Sequence, residues 1–144
     1  MAATVRNRIG AFQVRGRANP ISLVQEIEMT ADEALQLREM LVFALERLSE
    51  PAPRQIEWLT DRSLKLADEL ALDLDDVMPT VPQLIQLGVI SPSAEPPLRA
   101  VDDSLEHLNA DESKWDFDAL ACDPEWAEVR HRAAEALIAL TIAA

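Results

Sequence analysis

The chain has no tyrosine, one cysteine and three glycines, and each shortage closes off a class of protein. A lone Cys122 leaves no intramolecular disulfide to staple the fold, and a single thiol fits a reducing cytosol. With so few glycines there is no phosphate-cradling loop of the GxGxxG or Walker type, and the GxSxG elbow of a serine hydrolase is missing as well. His107 and His131 lie far apart and show no HExxH spacing. No apolar run approaches the roughly eighteen residues of a membrane span, and the arginines near the N-terminus have no apolar stretch beside them, so no secretory signal is expected. Three phenylalanines and three tryptophans are the only aromatics. The core must therefore be built mainly from Leu, Ile, Val and Ala. A chain of 144 residues buries roughly two-thirds of its unfolded surface, enough for one domain to stand without a metal or disulfide.

What is abundant is negative charge. The formal net charge is −13. Residues 1–18 hold Arg6, Arg8, Arg15 and Arg17 and no acid; set those aside and the rest of the chain carries −17. Such a body repels nucleic acid and anionic membranes and steers basic partners toward itself, while also serving solubility.

The first 29 residues differ from the rest. Ile21, Leu23, Ile27 and Met29 alternate with Ser22, Glu26 and Glu28, which is the period of a half-buried strand. Val5 to Val14 is a weaker extended stretch, with Gly10 and Gly16 at turn or bulge positions. The arginines and Glu26 and Glu28 are suited to cross-strand pairing, so residues 1–29 are expected to form an extended or β-hairpin segment; a mobile basic arm is the alternative. A nucleic-acid patch of these arginines with Phe12 is disfavoured, because the remaining charge opposes it.

Residues 30–144 read as a helical body. Thr30 and Glu33 have capping-box spacing. Leu37, Leu41, Ala44, Leu45 and Leu48 follow on one face, with Met40 and Phe43 as a second apolar side and Asp32, Glu39 and Glu46 as a wet stripe. Pro51 and Pro53 end this helix. A second helix is expected from about Gln55 to Leu72, with Asp61 and Lys65 as a surface pair. Thr80 and Gln83 mark a short helix that Gly88 stops. Ser91 to Pro97 is a proline-rich connector, followed by a stripe of Leu98, Val101, Leu105 and Leu108. The stretch KWDFDALACDPEW, residues 114–126, sets two tryptophans among acids. Asp123 caps a last helix there, Pro124 and Glu125 suit its first turn, and Trp126, Val129, Ala133, Ala136, Leu137 and Leu140 share a face. Trp115, Phe117 and Leu120 form a loop or short helix closing over the same core. The expected architecture is mainly α: a single-domain bundle of five or six helices with a small N-terminal antiparallel β element.

The candidate chemistry is thin. LDLDDV carries Asp73, Asp75 and Asp76, but an EF-hand would need a turn glycine and a terminal glutamate; the structural alternative turns Leu72, Leu74 and Val77 inward and the acids outward. Asp116 and Asp118 form a carboxylate pair of a kind common on acidic surfaces. Cys122 precedes a helix N-terminus, which can lower a thiol pKa, yet a small semi-buried residue is the simpler reading. No catalytic residue, metal or cofactor is assigned.

Trp115, the Leu120 segment and DPEWAEVRHRAAEAL (Asp123 to Leu137) resemble the closing helices of small, acidic, mostly helical bacterial proteins of the toxin-immunity type. That resemblance spans about 25 residues of the sequence and rests on Asp-Pro-Glu-Trp leading into a Val-Arg-x-x-Ala helix. It implies a cytosolic antidote that docks on a cognate toxin and blocks its active site. The function expected is therefore a non-enzymatic acidic protein, cytoplasmic, that binds a basic protein partner and neither nucleic acid nor membrane. The expected contacts are exposed acids near helix ends: Asp73, Asp75, Asp76, Asp102, Asp103, Glu106, Asp111 and Glu112. Two alternatives stand beside it, an adaptor or secretion-chaperone-like subunit and an enzyme with a cryptic site.

Overall fold

The computed structural model describes residues 29–142; the expected hairpin, its arginines and Glu26 and Glu28 lie outside them. Within these residues the elements are α1 (Ala31–Ser49), α2 (Ala52–Asp61), α3 (Asp68–Val77), α4 (Val81–Gln86), α5 (Glu95–Leu108), α6 (Phe117–Cys122) and α7 (Pro124–Ile142). Three 3-10 turns, Met78–Thr80, Pro92–Ala94 and Glu112–Trp115, join them. The molecule is a helical bundle in which α1 packs against α3 and α7, α7 packs also against α5, and α2 lies on α6. Among the described residues no helix is long and apolar enough to cross a membrane.

Local chemistry sets most of the boundaries. The Thr30 hydroxyl accepts the Glu33 N–H at 3.1 Å, and the Glu33 carboxylate accepts the Thr30 N–H at 3.1 Å, so two donors of the first turn of α1 are satisfied reciprocally. Gly88 ends α4 at φ 80°, with Val89 N–H donating to Leu84 O and Gly88 N–H to Ile85 O. This is the Schellman closure that a left-handed residue permits. Asp123 caps α7 through the Glu125 N–H at 2.8 Å.

The expected helix from Gln55 to Leu72 is instead two helices. The break has the same geometry as that at Gly88: Leu64 N–H donates to Leu59 O, Ser63 N–H to Thr60 O, and Ser63 adopts φ 58°. Serine gives no left-handed signal of the kind glycine or asparagine gives, so the stop was hidden. The turn also parts Asp61 from Lys65, and no ion pair joins them. A second correction concerns the proline-rich connector. It turns helical at Glu95, because Pro96 and Pro97 fall in the first turn, where a missing N–H leaves no bond unmade. The α5 stripe of Leu98, Val101, Leu105 and Leu108 is buried as expected.

On α1, Leu41, Ala44, Leu45 and Leu48 are buried, but Met40 and Phe43 are exposed. The second apolar side does not reach the core, because α3 and α7 occupy one arc of the helix only. Trp126 is fully buried and meets Trp115 edge to face, centroids 5.5 Å apart at 89°. Both indole N–H groups find carbonyls: Trp115 donates to Leu108 O at 3.2 Å and Trp126 to Lys114 O at 2.6 Å. Ala67 N–H donates to Trp115 O at 2.8 Å, which fastens the turn before α3 to this pair. The two rings thus hold α3, α5 and α7 at one corner.

One polar side chain crosses the core. Gln55 is fully buried, and its amide N–H2 donates to Arg47 O and Leu48 O, both at 3.0 Å. These carbonyls belong to the last turn of α1, where Arg47 O also receives the cap Glu50 N–H at a long 3.4 Å and Leu48 O lies past the last intrahelical donor. The Gln55 carbonyl oxygen accepts from Arg130 of α7 at 3.2 Å, and Arg130 also donates to Leu120 O of α6 at 3.0 Å. Burial lowers the Arg130 pKa from its usual value. Gln55→Leu keeps the volume but strands the Leu48 carbonyl and part of a guanidinium and leaves Arg47 O only the long Glu50 bond, so a loss of about 2–4 kcal/mol is expected in chemical denaturation.

Candidate partner-binding surface

The acids expected to bind a partner separate into two groups. Asp73 and Asp76 are exposed on α3, at the end nearer Arg47. Asp73 is exposed as a residue, yet partial burial of its carboxyl raises its pKa; repulsion from Asp76 adds to this and Arg47 opposes it. Asp102, Asp103 and Glu106 lie on α5, and Asp111 and Glu112 on the turn that follows. Asp103, Glu106, Asp111 and Glu112 are exposed and Asp102 is half-buried.

Asp75 is a correction. It is buried, as is Asp68 one heptad earlier. The inward-outward alternation expected for LDLDDV has the period of a strand, and α3 is a helix. At 3.6 residues per turn, Asp68 and Asp75 fall on the flank of the arc that carries Ala71 and Leu74, and Leu72 turns half outward. Asp75 is thus part of the packing and not of an exposed surface.

The second group gains neighbours that sequence reading missed. Asp103, Ser104 and His107 of α5 face Glu125, Glu128 and Arg132 of α7 across an open cleft of about 330 Å³. The cleft exists because α5 and α7 pack side by side along their apolar stripes, leaving their polar flanks to line a trough. His107 Nε2 lies 3.3 Å from Glu125 Oε2. Arg132 Nε donates to Glu128 Oε1 at 2.6 Å. At the end of the cleft Lys114 Nζ lies 2.8 Å from Asp123 Oδ2 and 2.6 Å from Glu125 Oε1. The nearby cations are therefore already held by carboxylates of this chain, and the acids outnumber them.

The other sequence candidates are structural or solitary. Asp116 caps α6, accepting the Ala119 N–H at 2.7 Å. Asp111 accepts both the N–H and the hydroxyl of Ser113, and these two bonds hold its pKa below the usual carboxylate value. His131 is exposed and its Nε2 lies 3.6 Å from Glu135. Cys122 is exposed at the end of α6, not half-buried, because α6 turns Leu120 and not its last residue to the core. Among the described residues no three His, Cys, Asp or Glu side chains converge as a metal ion requires.

The Lys114 network has a pH signature. Bonding to Lys114, with help from the Glu125 N–H, lowers the Asp123 pKa, and the two carboxylates raise that of Lys114. The Asp123 contribution is therefore present above its unfolded pKa of about 3.9 and lost as pH falls through the lower folded value. The Lys114 contribution persists up to about pH 10.4 and is lost above that, in strong alkali. Lys114→Met should lower the Tm at neutral pH, and its gap from the wild type should close below about pH 4. Thermal melts across pH check this; a gap that does not narrow in acid would dissociate the ion pair from stability.

Comparison with protein-family models, with curated proteins and with solved structures found no match to this chain.

Proposed function

We propose that the chain is a non-enzymatic binding protein that docks on a basic protein partner through the acidic surface of α5, the turn after it and the facing flank of α7. One observation carries this reading. Exposed carboxylates crowd a cleft whose nearby cations are engaged within the chain, on a body that carries −17 beyond its first 18 residues. An approaching cationic surface meets a net negative field there, and such fields govern association rate and partner choice more than final affinity. Asp73 and Asp76 form a second patch on α3, where mutual repulsion would be relieved by a partner's cation.

Within this reading the partner is an enzyme with a basic substrate cleft, such as a toxin that cuts nucleic acid, and the chain is its immunity-type inhibitor in the cytoplasm. The same charge disfavours nucleic acid and anionic membranes as ligands. An adaptor role would use the same surface on a basic scaffold. A pair such as His107 and Glu125 is chemistry-bearing, but it lies in an open trough where water has free access, a poor setting for general acid–base work.

The test uses the full chain as bait in a lysate of its source, with elution along a salt gradient and identification by mass spectrometry. Wild type should retain a basic protein released only as salt rises, and Asp103→Lys/Glu106→Lys/Glu112→Lys should lose it. With that partner purified, the triple variant should associate about tenfold or more slowly at low salt, with a flattened salt dependence. Equal retention by both baits would remove this surface from the docking account.

A further inference from the structure

Among the described residues five large apolar side chains stay exposed, and three of them, Leu35, Met40 and Phe43, belong to α1. Leu35 and Phe43 are the barer pair, at 55% and 59%. The same outer side of the helix carries Asp32, Glu39 and Glu46, all exposed. No cation pairs with these three carboxylates among the described residues. The two arginines of α1 are committed elsewhere: Arg38 donates to Leu140 O at 3.4 Å, and Arg47 to Glu50.

Helix geometry orders this mixture. At about 100° per residue, positions seven apart nearly superimpose. Asp32, Glu39 and Glu46 therefore form one row along the helix, spaced about 10.5 Å apart. Leu35 lies about 40° to one side of the row and Phe43 about 40° to the other, with Met40 further round. The face is an acidic row between two apolar shoulders.

That arrangement selects its occupant. A second copy of the chain would lay one acidic row on another, and like charges at contact distance repel. Nucleic acid and anionic membranes meet the same row. An extended cationic strand is out of register: about three residues span 10.5 Å, and side chains three apart point to opposite faces of a strand. A helix delivers a cation to the row at every seventh residue, which is the repeat that keeps two packed helices in one seam. Apolar side chains beside those cations then cover Leu35 and Phe43.

We propose that the outer face of α1 docks a cationic amphipathic helix of another protein, with Lys or Arg at every seventh position set against Asp32, Glu39 and Glu46 and apolar side chains on Leu35, Met40 and Phe43. The α5–α7 cleft shares none of these residues, so the two surfaces are tested apart.

The probe is a synthetic helical peptide three heptads long, with lysine at every seventh position and leucine beside it. A second peptide of the same composition carries its lysines at uneven spacing. Each is titrated at physiological salt into the isotopically labelled full chain. Amide shifts should change between Leu35 and Glu46, and the heptad peptide should bind more tightly than the uneven one. Glu39→Lys/Glu46→Lys and, separately, Phe43→Ser, all at exposed positions, should each weaken binding about tenfold or more. Asp103→Lys/Glu106→Lys/Glu112→Lys should leave it unchanged. No binding, equal binding of the two peptides, or shifts confined to α5 and α7 would each overturn the proposal.

Discussion

The fold depends on one buried hydrogen-bond node, Gln55 with Arg130. Helix α1 ends inside the protein with carbonyls past its last intrahelical donors, Arg47 O keeping only one long bond from the cap Glu50 N–H. The Gln55 amide satisfies two of them, and its oxygen receives the Arg130 guanidinium, which also reaches the last turns of α6. Four helices meet there through a handful of bonds. An unmade bond at such a place costs more than a made one gains, so the node selects one arrangement of α1, α2, α6 and α7 over others with similar apolar burial. The tryptophan pair plays the complementary part at the α5 end, where large rings supply area and their N–H groups tie down carbonyls.

These two anchors explain why the acidic cleft lies where it does. With α1 against α3 and α7, and Trp126 held in the core beneath Lys114, the polar flanks of α5 and α7 are left side by side. Lys114 then draws Asp123 and Glu125 to one end of the trough, while Asp103 lies along its α5 wall. The charge that a partner would meet is thus organised by packing and not by any local sequence motif.

That distinction marks what was legible in the sequence. The caps at Thr30 and Asp123, the stop at Gly88 and the stripes of α5 and α7 were readable, because each rests on interactions within one or two turns. The fully buried Gln55 was not, since its reason for burial lies on another helix. Ser63 hid a helix stop because its left-handed conformation is imposed by the turn and not advertised by the residue. Asp75 was misplaced by reading a strand period through a helix. Met40 and Phe43 pointed to a second core face, although how many neighbours a helix receives is a tertiary matter. For the surface, Asp103 and Glu106 were found from charge and spacing, but Glu125 and Glu128 join them only through the packing of α7 on α5.

The central claim is that the α5–α7 acidic surface receives a basic protein. Hydrogen exchange, measured on the chain alone and bound to the basic protein it captures, tests this most directly. The account expects added protection in the later turns of α5, the Glu112–Trp115 turn and the first half of α7, with α2 unchanged. Protection confined to α1 or α2, with α5 exchanging as in the free chain, would contradict it.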